Sequence, residues 1–221
     1  MNLPDNLLAS GWLWAGHLLF ALVLAYALRF APWRRLKKPA QLHLFLGAVV
    51  ALMVLWNIKT GIRPGLNFHM LGATALTLMF GPELALVGMA LVLLGSTLAG
   101  LSGTWTFSLN ALLMGVLPVL VSHAVYRIAD TRLPNHFFVY VFVNGFFGAA
   151  LAMASAGFVA TALLGAAGAY SFSYLYGEYL PFYMLLAWSE ALLTGMAVTL
   201  MAVYRPEWIG TFDDARYLRG K

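Results

Sequence analysis

The sequence predicts an all-α, polytopic membrane protein of seven transmembrane helices, with the amino terminus outside and the carboxy terminus in the cytoplasm. Three observations predict it. Apolar residues make up 62% of the 221-residue chain and charged residues only 10%, with a mean hydropathy of +0.82; a water-soluble domain carries about 25% charged residues. The apolar residues gather into seven runs separated by short polar or glycine-rich breaks. The thirteen Lys and Arg residues are distributed unevenly between alternate breaks, which orients the chain.

The first span runs from Gly11 to about Phe30, with Trp12 and Trp14 at its head as an interfacial belt. Ala21 and Ala25 give it a small-residue pair that lets another helix approach closely. Arg29, Arg34, Arg35, Lys37 and Lys38 follow, bracketed by Pro32 and Pro39, in the densest positive loop of the chain. The second span covers about Ala40 to Trp56, and the outer loop Lys59–Gly65 leads to a third span that starts near Asn67, with His69 in its first turn, and stops at Gly81-Pro82. The fourth runs to about Ala99. An outer loop rich in Gly, Ser and Thr, Gly100–Phe107, precedes the fifth span at about Ser108–Tyr126. The inner loop Arg127–His136 leads to a long sixth span, about Phe137–Gly165, whose glycines allow it to tilt or break. An outer aromatic loop, Ala169–Tyr179, precedes the seventh at about Leu180–Tyr204. Residues 1–204 thus read as one transmembrane bundle and 205–221 as a short cytoplasmic tail. With the amino terminus outside, only Lys59 and Arg63 of the Lys and Arg residues fall on the outer face.

Composition also excludes functions. There is no cysteine, so disulfides, thiolate metal ligands, iron–sulfur clusters and cysteine nucleophiles are absent together. No phosphate-binding Gly-x-x-x-x-Gly-Lys-Ser/Thr loop and no His-Glu-x-x-His occurs. The basic excess lies in short loops between apolar runs, which points to the lipid bilayer and not to nucleic acid. Asn2, Pro4 and Asp5 stand where a signal peptide needs a basic leader, so the mature chain is expected to begin at its own first residues. A serine hydrolase built on Ser96 or Ser102 with His69 rests on residue type alone.

The predicted topology sorts the five histidines by depth. His43, His123 and His136 lie near the cytoplasmic face; His69 lies at the outer mouth, and His17 about 9 Å below the head of the first span at 1.5 Å per residue. The amine of Met1, His69 and His17 therefore have access to one outward-facing pocket. Amine and imidazole nitrogens suit nickel, cobalt, copper or zinc and not calcium or magnesium, and an amine with an ordinary pKa of about 7.7–8.0 yields its proton readily to a metal. The plainer alternatives are a frayed terminus for Met1 and a hydrogen bond inside the bundle for His17, the latter being the preferred reading. Glu190, near the middle of the seventh span, is either a coupling or ion-path residue or a buried acid tying helices through Asn110, Asn144 or a hydroxyl. On the second reading, Glu190→Gln is expected to keep both fold and function.

Four stretches resemble the cobalt/nickel substrate-capture component of energy-coupling factor transporters, the CbiM/NikM-type permeases. Met1-Asn2-Leu3-Pro4-Asp5-Asn6-Leu7-Leu8 is similar to that family's opening Met-His-Ile-Pro-Asp/Glu-Gly-Phe-Leu. Gly65 to Pro82 is similar to its Pro-Gly-Thr-Ser-Gly-His-Leu-Leu-Gly segment ending in Gly-Pro, and Asn110 to Gly115 to its Asn-x-x-x-Met-Gly. Ser189-Glu190 through Thr194-Gly195, with Arg205-Pro206-Glu207, resembles its Glu-x-x-Ile-Thr-Gly and closing Arg-Pro-Asp. The resemblance implies a non-enzymatic, multi-pass protein of the bacterial plasma (inner) membrane. Its cargo would be a divalent transition metal, nickel or cobalt, with no permanent cofactor. Its partners would be a transmembrane coupling (T) subunit and ATP-hydrolysing subunits.

In that family the metal is held by the terminal amine, the backbone nitrogen and imidazole of residue 2, and the histidine opening the third helix. Met1 and His69 carry over. Asn2 has no imidazole, and Leu66-Asn67-Phe68 replaces Thr-Ser-Gly, so the missing donor falls to Asn2, Asn67 or His17. The alternatives are the same scaffold with another cargo, copper or a small organic molecule, and a membrane enzyme or assembly factor.

Overall fold

The structure is a computed structural model and describes residues 2–218. Met1, and with it the expected amine donor, lies outside the described residues. Five helices are long and apolar enough to cross a bilayer: α1 (Ser10–Phe30), α2 (Pro39–Asn57), α5 (Phe107–Arg132), α6 (Phe137–Ala166) and α7 (Phe172–Tyr204). Between α2 and α5 lie a two-stranded hairpin, β1 (Thr60–Arg63) and β2 (Leu66–Phe68), the eight-residue helix α3 (Ala73–Phe80), and the seventeen-residue apolar helix α4 (Pro82–Leu98).

The expectation of a full third helix beginning near Asn67 is corrected. Leu66–Phe68 is a strand and residues 69–72 link it to α3, so His69 precedes that helix instead of sitting in its first turn. At 1.5 Å per residue α3 spans only about 12 Å, too short to cross a bilayer alone. Pro64-Gly65 makes the hairpin turn, Gly65 supplying φ +76°. Thr60 pairs with Phe68 and Gly61 with Asn67 in antiparallel register, so the chain is not purely helical. Extended backbone is tolerated at membrane depth only where protein surrounds it. Here Leu66, Phe68, His69, Leu71 and Gly72 are all buried.

The outer aromatic loop expected at Ala169–Tyr179 is also corrected, because α7 begins at Phe172, eight residues earlier. The inner loop shrinks likewise, with α5 continuing to Arg132. The last three long helices each contain a π-helical stretch: Leu112–Val116, Tyr140–Phe147 and Leu175–Tyr179. The wide turn in α6 is the interruption its glycines allow, and Gly145 there lies against Gly195 of α7.

Gly81, at φ +84°, and Pro82 separate α3 from α4. The break leaves carbonyls at the end of α3 to be satisfied elsewhere, and the carboxy-terminal segment reaches back to them. The backbone N–H groups of Gly210 and Thr211 donate to Met79 and Leu78 at 2.9 and 3.2 Å. The Thr211 hydroxyl is 2.8 Å from the Leu78 carbonyl oxygen and 2.6 Å from the Tyr140 hydroxyl. Phe212 and Tyr217 pack on Tyr140. The residues after Tyr204 are therefore packed onto the bundle as far as Tyr217.

Candidate metal centre

The amino-terminal segment is held in place by groups far away in sequence. Asn110 in α5 reads Leu3 as a neighbouring strand would: its Oδ1 accepts from the Leu3 N–H at 2.9 Å and its Nδ2 donates to the Leu3 carbonyl at 3.2 Å. Asp5 accepts from the N–H groups of Thr104 and Thr106 at 3.1 and 3.0 Å and from both hydroxyls at 3.2 Å. A side chain on Gly103 would collide with Asp5 and Thr106, so glycine is required at that position of the loop before α5.

Burial raises the Asp5 carboxyl, but these four hydrogen bonds outweigh it and hold the group below its ordinary 3.8. The clamp therefore adds stability that is present above the unfolded value and lost as pH falls through the lower folded one. The amino-terminal segment should become more protease-sensitive below pH 3.8 in wild type, whereas Asp5→Asn, which does not titrate, should show no such step. Equal pH profiles would refute the clamp.

This anchoring brings Asn2 against β2 and the segment after it. The Asn2 N–H donates to Asn67 Oδ1 at 2.7 Å, and Asn67 Nδ2 lies 3.4 Å from the Asn2 carbonyl oxygen. Asn2 Nδ2 donates to the Leu101 carbonyl at 3.0 Å, which turns Asn2 Oδ1 towards His69 Nε2, 3.3 Å away. Both Asn2 and His69 are buried. The other ring nitrogen, His69 Nδ1, lies 3.0 Å from the Met70 carbonyl oxygen.

His69 thus faces an acceptor at each ring nitrogen. A neutral imidazole donates to only one of them. In the tautomer with Nδ1–H on the Met70 carbonyl, Nε2 and Asn2 Oδ1 present lone pairs to each other, and a cation between them would satisfy both. Two donor atoms each about 2.0–2.1 Å from one ion lie roughly 2.9–3.4 Å apart for angles between square and tetrahedral, and the observed separation is 3.3 Å. Among the described residues no group of three or more His, Cys, Asp and Glu gathers, so further donors must come from amides or an amine.

Two features that fix His69 were not foreseen. Trp56, read from sequence only as the end of the second span, is buried and lies against the imidazole at a ring separation of 4.6 Å. Its indole N–H donates to the Leu71 carbonyl at 3.1 Å. Of the expected ties, Glu190 makes neither that to Asn110 nor that to Asn144, and the only hydroxyl it meets is that of Thr194 on its own helix. Its two oxygens accept from the backbone N–H groups of Leu71 and Gly72 at 2.9 and 2.7 Å, with the Thr194 hydroxyl more distant at 3.5 Å. Gly72 lies at φ +68°, where a side chain would also strike Leu52.

The segment bearing His69 is thus gripped by α2 through Trp56 and by α7 through Glu190. The remaining expected residue, His17, is elsewhere: its Nδ1 lies 2.8 Å from the Ser108 hydroxyl, between Trp14 and Trp105. That contact is the hydrogen bond inside the bundle, away from Asn2 and His69.

The fold recurs in solved structures. A crystal structure described as a truncated transition metal transporter matches it with a TM-score of 0.78 and 18% identity, covering 92% of this chain and 99% of that one. A second, described as a transition metal transporter, gives a TM-score of 0.76 and 18% identity over 92% and 93%. The chain belongs to the CbiM family, the cobalt uptake substrate-specific transmembrane region, whose family model matches residues 2–208. A putative cobalt transport protein, CbiM 1 of Methanosarcina barkeri, is 28% identical over 145 residues. That alignment covers 65% of this chain and 62% of the relative's length.

Proposed function

We propose that this protein captures a divalent transition metal, of the nickel or cobalt class, at the Asn2–His69 cluster and passes it across the membrane. The observation that carries the reading is the approach of His69 Nε2 to Asn2 Oδ1, 3.3 Å apart in a buried site. Membership of a cobalt uptake family gives the cargo class. The Met1 amine and Asn67 complete the proposed donor set. The mix is harder than an all-nitrogen one, because amide oxygen stands where the family resemblance puts a second imidazole. Seven membrane-embedded segments, with α3 and its extended lead forming the third, an outer amino terminus and an inner carboxy terminus fit the charge distribution. Transport would be driven by separate ATP-hydrolysing subunits acting through a transmembrane coupling subunit, as the family resemblance implies, in the plasma membrane of a bacterial-type cell.

If the terminal amine is a ligand, a tag fused ahead of Met1 should abolish metal capture, while a carboxy-terminal tag should leave it intact. Metal content is read on both purified forms. Equal loading would remove Met1 from the donor set.

A further inference from the structure

On the face of the bundle that carries the basic loop, α2 packs on α4, and α7 packs on α6. The seam between α2 and α7 stays open as an apolar groove of about 520 Å³. Gly47, Ala48 and Ala51 of α2 form one wall, Met79 of α3 the floor, and Met201 and Trp208 the other side. A Cβ on Gly47 would meet nothing within 4 Å, so the small residues of α2 make room that none of the described residues fills.

The groove extends along α2 from Ala40 to Ala51. At 1.5 Å per residue that is about 17 Å, or roughly half of a hydrocarbon core about 30 Å thick. Its length is that of one leaflet. Its upper end opens beside the loop that carries Arg34, Lys37 and Lys38, all exposed and without a carboxylate partner among the described residues. Arg35 is already committed, donating to Gln41 at 2.9 Å and lying over the Phe80 ring at 5.2 Å. Glu207, beside the lining residue Trp208, pairs with Arg205 at 3.6 Å. The mouth is therefore cationic and the trough behind it apolar apart from His43.

We infer that this seam is a binding site for one anionic phospholipid of the adjoining leaflet, its acyl chain along Gly47–Ala51 and its phosphate against Arg34, Lys37 and Lys38. Two arguments select this occupant over a protein helix. The trough is one leaflet long, and it ends at unpaired cations of the sign opposite to a phosphodiester. Basic residues at the surface attract anionic headgroups, so three give a marked preference for anionic over zwitterionic lipid.

The test uses the full chain, delipidated in detergent and titrated with phosphatidylglycerol or phosphatidylcholine of the same acyl composition. Bound lipid is counted by native mass spectrometry. Wild type should retain one phosphatidylglycerol with an affinity at least about tenfold above that for phosphatidylcholine. The triple variant Arg34→Gln, Lys37→Gln, Lys38→Gln should bind both lipids about equally. Gly47→Leu and, separately, Ala51→Leu should displace both lipids while melting at the wild-type temperature; two groove-filling variants guard against one failing to fold. Equal binding of the two lipids by wild type, or retention of the lipid in both groove-filling variants, would overturn the site. So would a coupling-subunit helix that displaces no lipid yet is itself blocked by Gly47→Leu.

Discussion

Replacing His69 by alanine is expected to lower nickel and cobalt affinity by at least about tenfold, or roughly 1.4 kcal/mol. His69 Nε2 is the one imidazole nitrogen that meets Asn2 Oδ1, and alanine removes it. The substitution is not silent for the fold. His69 lies in a non-helical segment, so the helix-forming tendency of alanine gives no protection, and the ring lost from beneath Trp56 leaves a cavity. Thermal stability must therefore be followed alongside calorimetry, and the metal effect should persist at temperatures where the variant is fully folded. The reverse substitution probes the same geometry. Asn2 points at Nε2, so Asn2→His should set a second imidazole against the first and raise affinity for ions that favour nitrogen donors, nickel and copper. Unchanged binding in His69→Ala would remove metal capture from this cluster. Loss in His69→Ala with no gain in Asn2→His would show a site adapted to amide oxygen and to another ion or coordination geometry.

Substitution of Glu190 should have the second large effect. As a plain tie between helices, Glu190→Gln would be harmless, because an amide has the same shape. The structure reverses that expectation. Both carboxyl oxygens accept backbone N–H groups, from Leu71 and Gly72, and glutamine supplies only one oxygen. Its NH₂ would face the second N–H, donor against donor, in a buried site. Leaving one such group unmet costs about 1–3 kcal/mol, and Glu190→Ala, which frees both, should cost more. Because Leu71 and Gly72 lie in the segment bearing His69, metal affinity should fall together with stability. Glu190 is then a positioning residue. Wild-type affinity and melting temperature in Glu190→Gln, with uptake lost, would instead assign it to energy coupling.

How much of this was legible in the sequence differs by element. The first two spans emerge within a residue or two of their expected ends, since a long apolar run between charged or proline breaks leaves few other solutions. Leu66–Gly72 was misread because a short apolar run suits a buried strand and a helix equally; only the tertiary pairing with Thr60–Arg63 and the αL conformation of Gly72 decide it. The start of α7 was missed because Tyr176, Gly177 and Glu178 weaken the apolar pattern, yet the backbone accommodates them in a π turn. At the centre, His69 stood out by its place at a mouth, and the weight on Asn2 came from resemblance. The partners of Glu190 carried no signal at all. They are main-chain N–H groups more than a hundred residues away, and every residue type but proline presents an N–H.

The most direct measurement is X-ray absorption at the metal edge of the protein loaded with nickel and, separately, with cobalt. The account predicts a first shell of nitrogen and oxygen only, with the multiple scattering of one imidazole that disappears in His69→Ala and doubles in Asn2→His. A shell without imidazole scattering in wild type, or one that survives His69→Ala, would contradict it.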